Sequence, residues 1–128
     1  MCIRDRDGDN NPRKVLEALL KELDVTYVDM FLIHSPLYSA PLSLSESWKV
    51  MEELKKEGLT RSIGVSNYRE EDFLEMEQHW EIPPAVNQIE MHPYVFHAPN
   101  VQRLLKICLL YTSPSPRDRT RSRMPSSA

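Results

Sequence analysis

A chain of 128 residues, 41% hydrophobic and 27% charged, allows one soluble domain with a modest core, and no apolar run approaches the roughly 20 residues of a membrane span. Two cysteines cannot make a disulfide framework, and three glycines leave no room for a G-x-G-x-x-G phosphate loop. The formal charge of -3 argues against nucleic acid as a partner, and no secretory signal pattern is visible at either end.

The two ends differ from the middle. Cys108-Leu109-Leu110-Tyr111-Thr112 can be encoded TGT CTC TTA TAC ACA. The reverse complement, preceded by one A and read one frame over, encodes Met1-Cys2-Ile3-Arg4-Asp5. Both termini can thus be written with one short element in opposite orientations, and they resemble a translated sequencing adapter. Residues 1–6 and 108–128 are therefore expected to be non-native, the latter a disordered basic tail, with the native segment running over 7–107. That segment holds 10 Lys+Arg against 17 Asp+Glu, hence -7, and neither cysteine.

Within it, Asn11-Pro12 pairs an N-cap residue with proline at the first helical position. Val15, Leu16, Leu19, Leu20 and Leu23 then mark one buried helical face. Tyr27-Val28-Asp29-Met30-Phe31-Leu32-Ile33 is nearly all apolar without alternation, the pattern of a strand buried on both faces, and His34-Ser35-Pro36 ends it. Ser43 and Glu46 form a capping box ahead of a helix with Leu44, Trp48, Met51 and Leu54 on one face. Lys55 and Lys56 suit its negative end, and Gly58 can take the left-handed cap. Ser62-Ile63-Gly64-Val65 is a second strand, ended by Ser66-Asn67. A helix through Glu70-Glu71-Asp72-Phe73-Leu74 follows, Pro83-Pro84 breaks the chain, and Ala85-Val86-Asn87-Gln88-Ile89 is a third strand. A last helix starts at Asn100, with Val101, Leu104 and Leu105 on its apolar side.

Strand and helix in alternation imply right-handed crossovers and a parallel sheet, whose ligands sit at the carboxyl ends of the strands. His34, Ser66, Asn67, Asn87 and Gln88 all fall there. A neutral imidazole can hydrogen-bond a carbonyl oxygen or move a proton. A hydroxyl with carboxamides can grip a planar amide. Strand side chains alternate, so one of Asn87 and Gln88 faces inward and the other toward the helices. The plainer alternative is that these polar groups only cap the backbone.

Tyr27 to Pro36, Gly64-Val65-Ser66-Asn67-Tyr68 and Pro83 to Tyr94 resemble, in order, three motifs of the aldo-keto reductase family. The resemblance implies an incomplete (β/α)8 TIM barrel, an α/β fold, from about the third helix to the start of the sixth. It implies NADPH, or NADH, as hydride carrier and a small aldehyde or ketone as substrate. It makes His34 the catalytic histidine that orients the carbonyl, and makes Ser66, Asn67 and Gln88 the residues that hold the nicotinamide carboxamide. The family's Tyr, Lys and Asp catalysts belong to earlier strands, and neither Tyr27 nor Tyr38 sits in the tyrosine's motif. The isolated chain is accordingly expected to be inactive and loosely packed, and the parent a cytoplasmic monomer. Ser35 departs from the family, many of whose members carry Trp after the histidine, and this opens the substrate pocket. The rival readings are a reductase-fold binding or regulatory subunit without turnover, and an unrelated α/β binding module. Glu90, His92 and His97 lack a strong metal spacing, so no metal is expected. Trp48, Trp80, Met51 and Met76 read as packing, and Glu70 to Glu77 as a solvated face.

Overall fold

The computed structural model describes residues 2–3, 11–39, 41–90, 92, 94, 99, 101 and 110–112. Five parallel strands pair in chain order: β1 (Cys2–Ile3), β2 (Val28–Ile33), β3 (Thr60–Ser66), β4 (Val86–Gln88) and β5 (Leu110–Thr112). Helices α1 (Pro12–Leu23), α2 (Leu44–Lys56) and α3 (Glu70–Glu77) alternate with them, and a 3-10 turn covers Pro36–Ser39.

Local chemistry sets these boundaries. Asn11 caps α1, its Oδ1 accepting from the Arg13 N–H at 3.0 Å, with Pro12 in the first turn. At the other end Asp24 takes a left-handed φ of 53° and the Val25 N–H reaches back to the Leu20 carbonyl. In α2 the capping box is complete: the Ser43 Oγ accepts from the Glu46 N–H and the Glu46 carboxylate accepts from the Ser43 N–H. The bonds that the carboxylate accepts from the Ser43 N–H and hydroxyl hold the Glu46 carboxyl below its ordinary range. Gly58 closes α2 at φ 82°, where the Leu59 N–H reaches the Leu54 carbonyl.

The core lies between the helices and one face of the sheet. Phe31, Ile33, Ile63 and Val65 meet Leu16, Leu20, Trp48, Met51, Leu54, Phe73 and Met76 there. Trp80 packs edge-on against Phe73, with ring centroids 6.5 Å apart. Outside the core, Arg13 clasps α1 to α2 through Glu57 and Glu53. The guanidinium holds the Glu57 carboxyl below its ordinary range. At the amino ends of the strands Arg61 pairs with Asp29 at 3.0 Å and lies over the Tyr27 ring.

Four expectations need correction. The first strand is buried on both faces only over Phe31–Ile33; Tyr27 and Asp29 are exposed because Arg61 gives both a solvent-side partner. The second strand begins at Thr60, earlier than Ser62, because Val28 pairs with Thr60. Leu23 is half exposed at the end of α1, as is Val25 in the turn that leads to β2. Finally, Cys2–Ile3 and Leu110–Thr112 pair as strands, which extends the expected three strands to five. An open parallel edge offers unpaired N–H and C=O groups, and short β-prone segments such as Leu-Tyr-Thr satisfy them whatever their origin. Of the last expected helix, Pro99 and Val101 are helical and Val101 is buried; Leu104 and Leu105 lie outside the described residues. Tyr38 is part of the 3-10 turn.

Candidate active site

Register brings the candidate residues into one row. Leu32 pairs with Gly64 and Ile33 with Val65, so His34, one residue beyond β2, falls level with Ser66; Ser66 in turn pairs with Gln88. Side chains alternate along each strand, which places Ser66 and Gln88 on the same face as Leu32, Gly64 and Val86, opposite the helix-facing Ile33, Val65 and Asn87, and His34 follows Ile33 at the same level of the sheet. The row of Leu32, Gly64 and Val86 lies directly beneath. Gly64 is glycine by necessity: an added Cβ would come within 2.6 Å of Val86 Cγ1 and 2.7 Å of Leu32 Cδ2.

The three strand ends are tied together at this rim. Gln88's backbone carbonyl accepts from the Ser66 hydroxyl at 2.8 Å and from the Asn67 N–H at 3.0 Å. The Asn67 Nδ2 donates to the His34 carbonyl at 2.8 Å and to the Ser66 Oγ at 3.1 Å. Asn67 itself sits at φ 59°, in the left-handed region, so a non-glycine residue in a costly conformation stands at the centre of the candidate site. Hydrogen-bond bookkeeping then defines what the row offers a ligand. Both Nδ2 protons of Asn67 and the hydroxyl proton of Ser66 are spent within the protein. That leaves the Asn67 Oδ1 and a Ser66 lone pair as acceptors. Among the described residues the Gln88 side-chain amide makes no hydrogen bond, which leaves a donor and an acceptor. Acceptors beside an uncommitted amide suit a planar carboxamide, so the residues present fit the nicotinamide end of the expected cofactor.

Several supports were not legible as such in the sequence. Glu52 is 3% exposed, and its Oε1 accepts from the Glu81 N–H at 2.7 Å and the Ile82 N–H at 2.8 Å. The Trp48 indole N–H donates to the Ile82 carbonyl at 2.9 Å. Helix α2 thereby pins the segment that enters β4, and Lys56 adds an ion pair to Glu81 at 2.6 Å. Tyr68 is buried under the rim, its hydroxyl 3.4 Å from the Ser39 Oγ; burial pushes its phenol up to about 12. The Ser39 carbonyl accepts from the Ser47 hydroxyl, anchoring the turn after His34 to α2. Within that turn the Ser35 Oγ accepts from the Leu37 N–H at 3.4 Å, and Leu37 is 84% exposed at the rim. His92 pairs with Glu90 at 3.0 Å; among the described residues no group of three metal-ligating side chains occurs. His97 lies outside the described residues.

Parallel strands in chain order, with helices on one face, define part of a (β/α)8 barrel, and the polar row lies at the carboxyl ends of the strands, where ligands sit in that class. The chain belongs to the aldo/keto reductase family, whose sequence profile matches residues 3–111. It is 42% identical over 102 residues to the NAD/NADP-dependent indole-3-acetaldehyde reductase of Schizosaccharomyces pombe, covering 78% of this chain and 35% of that protein. It is 43% identical over 89 residues to the NADPH-dependent alpha-keto amide reductase of Saccharomyces cerevisiae, covering 67% and 28%. Among solved structures, a Bombyx mori aldo-keto reductase in complex with NADP superposes with a TM-score of 0.74 at 29% identity, covering 96% of this chain and 43% of that one. The Brucella melitensis aldo/keto reductase gives 0.72 at 35% identity, covering 83% and 41%. The chain spans about a third of the length of these curated relatives. Family membership excludes the unrelated α/β module. No helix among the described residues is long and apolar enough to cross a membrane.

Proposed function

We propose that this chain is an internal portion of an NADPH-dependent reductase of small aldehydes or ketones, with NADH as the alternative carrier. In this reading Ser66, Asn67 and Gln88 hold the nicotinamide carboxamide, and His34 orients the substrate carbonyl and assists its protonation. The single observation that carries it is the pairing of Ser66 with Gln88 at the strand ends, with Asn67 bonded to the His34 carbonyl beside them. The bound cofactor would supply the hydride. The Asn67 Oδ1 would accept from the carboxamide N–H, the Gln88 side chain would complete the grip, and the imidazole would hydrogen-bond the carbonyl oxygen. The family's Tyr, Lys and Asp are expected on earlier strands of a parent that works as a cytoplasmic monomer, so the isolated chain should not turn over. Ser35 in place of a bulky aromatic favours a roomy pocket.

The residues at 1–6 and 108–128 are, in the same reading, adapter translation. Their inverted encoding supports this, although the family match extends into both segments, over 3–6 and 108–111. Resequencing the source DNA should show the frame continuing past Ile107 without Cys-Leu-Leu-Tyr-Thr; finding that string in an adapter-free library refutes it.

The recovered full-length frame tests the function. His34→Ala should lower kcat by about 10²–10⁴-fold with little change in NADPH affinity. Gln88→Ala should weaken NADPH binding by roughly two- to twelve-fold, the worth of one hydrogen bond of about 0.5–1.5 kcal/mol. Steady-state reduction of a small aromatic aldehyde and fluorescence titration of NADPH read the two effects. Unchanged turnover in His34→Ala removes the catalytic role. NADPH binding without turnover on a broad carbonyl panel replaces the enzyme with a non-catalytic binding subunit.

A further inference from the structure

Asn87 stands beside Gln88 but points to the other side of the sheet, level with Val65, where it is fully buried. Its Nδ2 donates to the Tyr68 carbonyl at 3.0 Å, while its Oδ1 has no partner among the described residues. A buried amide with an unpaired acceptor is costly, and an apolar residue would avoid that cost. The donor end is what this position gains. Exchanging the amide's O and N would set oxygen against oxygen at Tyr68, so the orientation is determined.

What the donor holds is the turn that leaves β3. Asn67, next to Tyr68, is the left-handed residue of that turn. The Gln88 backbone carbonyl grips the same turn through the Asn67 N–H and the Ser66 hydroxyl. Adjacent residues of β4 therefore hold one turn together, Gln88 by its main-chain carbonyl within the plane of the sheet and Asn87 by its side chain from the helix-facing side. We propose that Asn87 is a positioning residue for the cofactor-amide site, which holds Asn67 in its left-handed conformation through the Tyr68 carbonyl. Without that donor the Tyr68 carbonyl loses its partner. Asn67 can then leave the left-handed region, and its Nδ2 leaves the His34 carbonyl. The inference rests on the reading of Ser66, Asn67 and Gln88 as the residues that hold the carboxamide.

The test is Asn87→Asp in the full-length reductase, a change of nearly equal shape that replaces the donating group with an oxygen facing the Tyr68 carbonyl. The NADPH dissociation constant, measured well below the melting temperature, should rise roughly ten- to a hundred-fold, as expected for a lost hydrogen bond that leaves a buried acceptor unpaired. Turnover at saturating NADPH should fall far less. Asn87→Ser, smaller and uncharged, should show a several-fold rise and serves where the Asp variant does not accumulate. A lower melting temperature with unchanged NADPH affinity in both variants assigns Asn87 to packing alone and overturns the proposal, while the amide-site reading stands. Failure of the unmutated reductase to bind NADPH removes that reading and this proposal together.

Discussion

Gly64→Ala puts the tightest point of the site under test. Gly64 sits between Leu32 and Val86 on the inner face, directly beneath the candidate row. A Cβ there would lie 2.6 Å from Val86 Cγ1, 2.7 Å from Leu32 Cδ2 and 2.7 Å from the Val86 carbonyl oxygen. Ordinary contacts between such atoms are about 3.5 Å or more. The two side chains can rotate aside, but the carbonyl belongs to β4 and can retreat only if β4 moves by about 0.5–1 Å. Overpacking of this kind costs about 1–3 kcal/mol, and a backbone obstacle places this case at about 2–3 kcal/mol. Two residues farther along β4, the Gln88 carbonyl receives both the Ser66 hydroxyl and the Asn67 N–H, so the displacement should reach the site and weaken NADPH binding as well. Urea unfolding of the full-length reductase should show a lowered midpoint at unchanged slope. Gly58→Ala is the control. Nothing lies within 4 Å of its added Cβ, so its φ of 82° alone should cost about 1 kcal/mol and leave NADPH affinity untouched. A Gly64→Ala variant as stable as the parent, or less affected than Gly58→Ala, refutes the reasoning.

Glu52→Ala should destabilise the full-length protein by about 2–4 kcal/mol, because two N–H groups, of Glu81 and Ile82, lose a shared acceptor. Glu52→Gln keeps an oxygen in place and should cost clearly less in the same urea assay; equal costs would show that volume, not the hydrogen bonds, matters. Tyr68 sets an alkaline limit. Its folded-state pKa is raised from 10.0 to about 12, so its contribution is complete below 10 and is lost as pH rises through 10 to 12, where the unfolded chain ionises first. Melting followed over that range should show a shallower alkaline decline in Tyr68→Phe than in the parent, and identical slopes would contradict the burial argument.

Where a residue's neighbours in sequence determine its role, the sequence was a sufficient guide. Asn11-Pro12, the Ser43 and Glu46 box and Gly58 all act within one helical turn, and each forms as its local chemistry requires. The apolar run before His34 and the Ser66-Asn67 pair revealed parallel strands with polar ends, and pairing register then set Ser66 beside Gln88, with the His34 carbonyl bonded to Asn67. Roles made by distant partners were not legible. Glu52 looks like its exposed neighbour Glu53 until the segment entering β4 folds over it. Nothing in the string around Asn87 indicates that its donor is for the Tyr68 carbonyl. The open edges of the sheet likewise recruit Cys2–Ile3 and Leu110–Thr112 by backbone pairing, which depends little on side-chain pattern.

The strand order of the sheet follows the order of the chain, so each strand's partner is the one made immediately before it. Contacts of this kind close loops of only a few tens of residues, which keeps the entropic cost of each step low. During synthesis β2 and α1 can wait for β3, and β3 for β4, each completed by its neighbour in the chain. Assembly can therefore proceed one strand-helix unit at a time, each new strand covering the edge that the previous one left open.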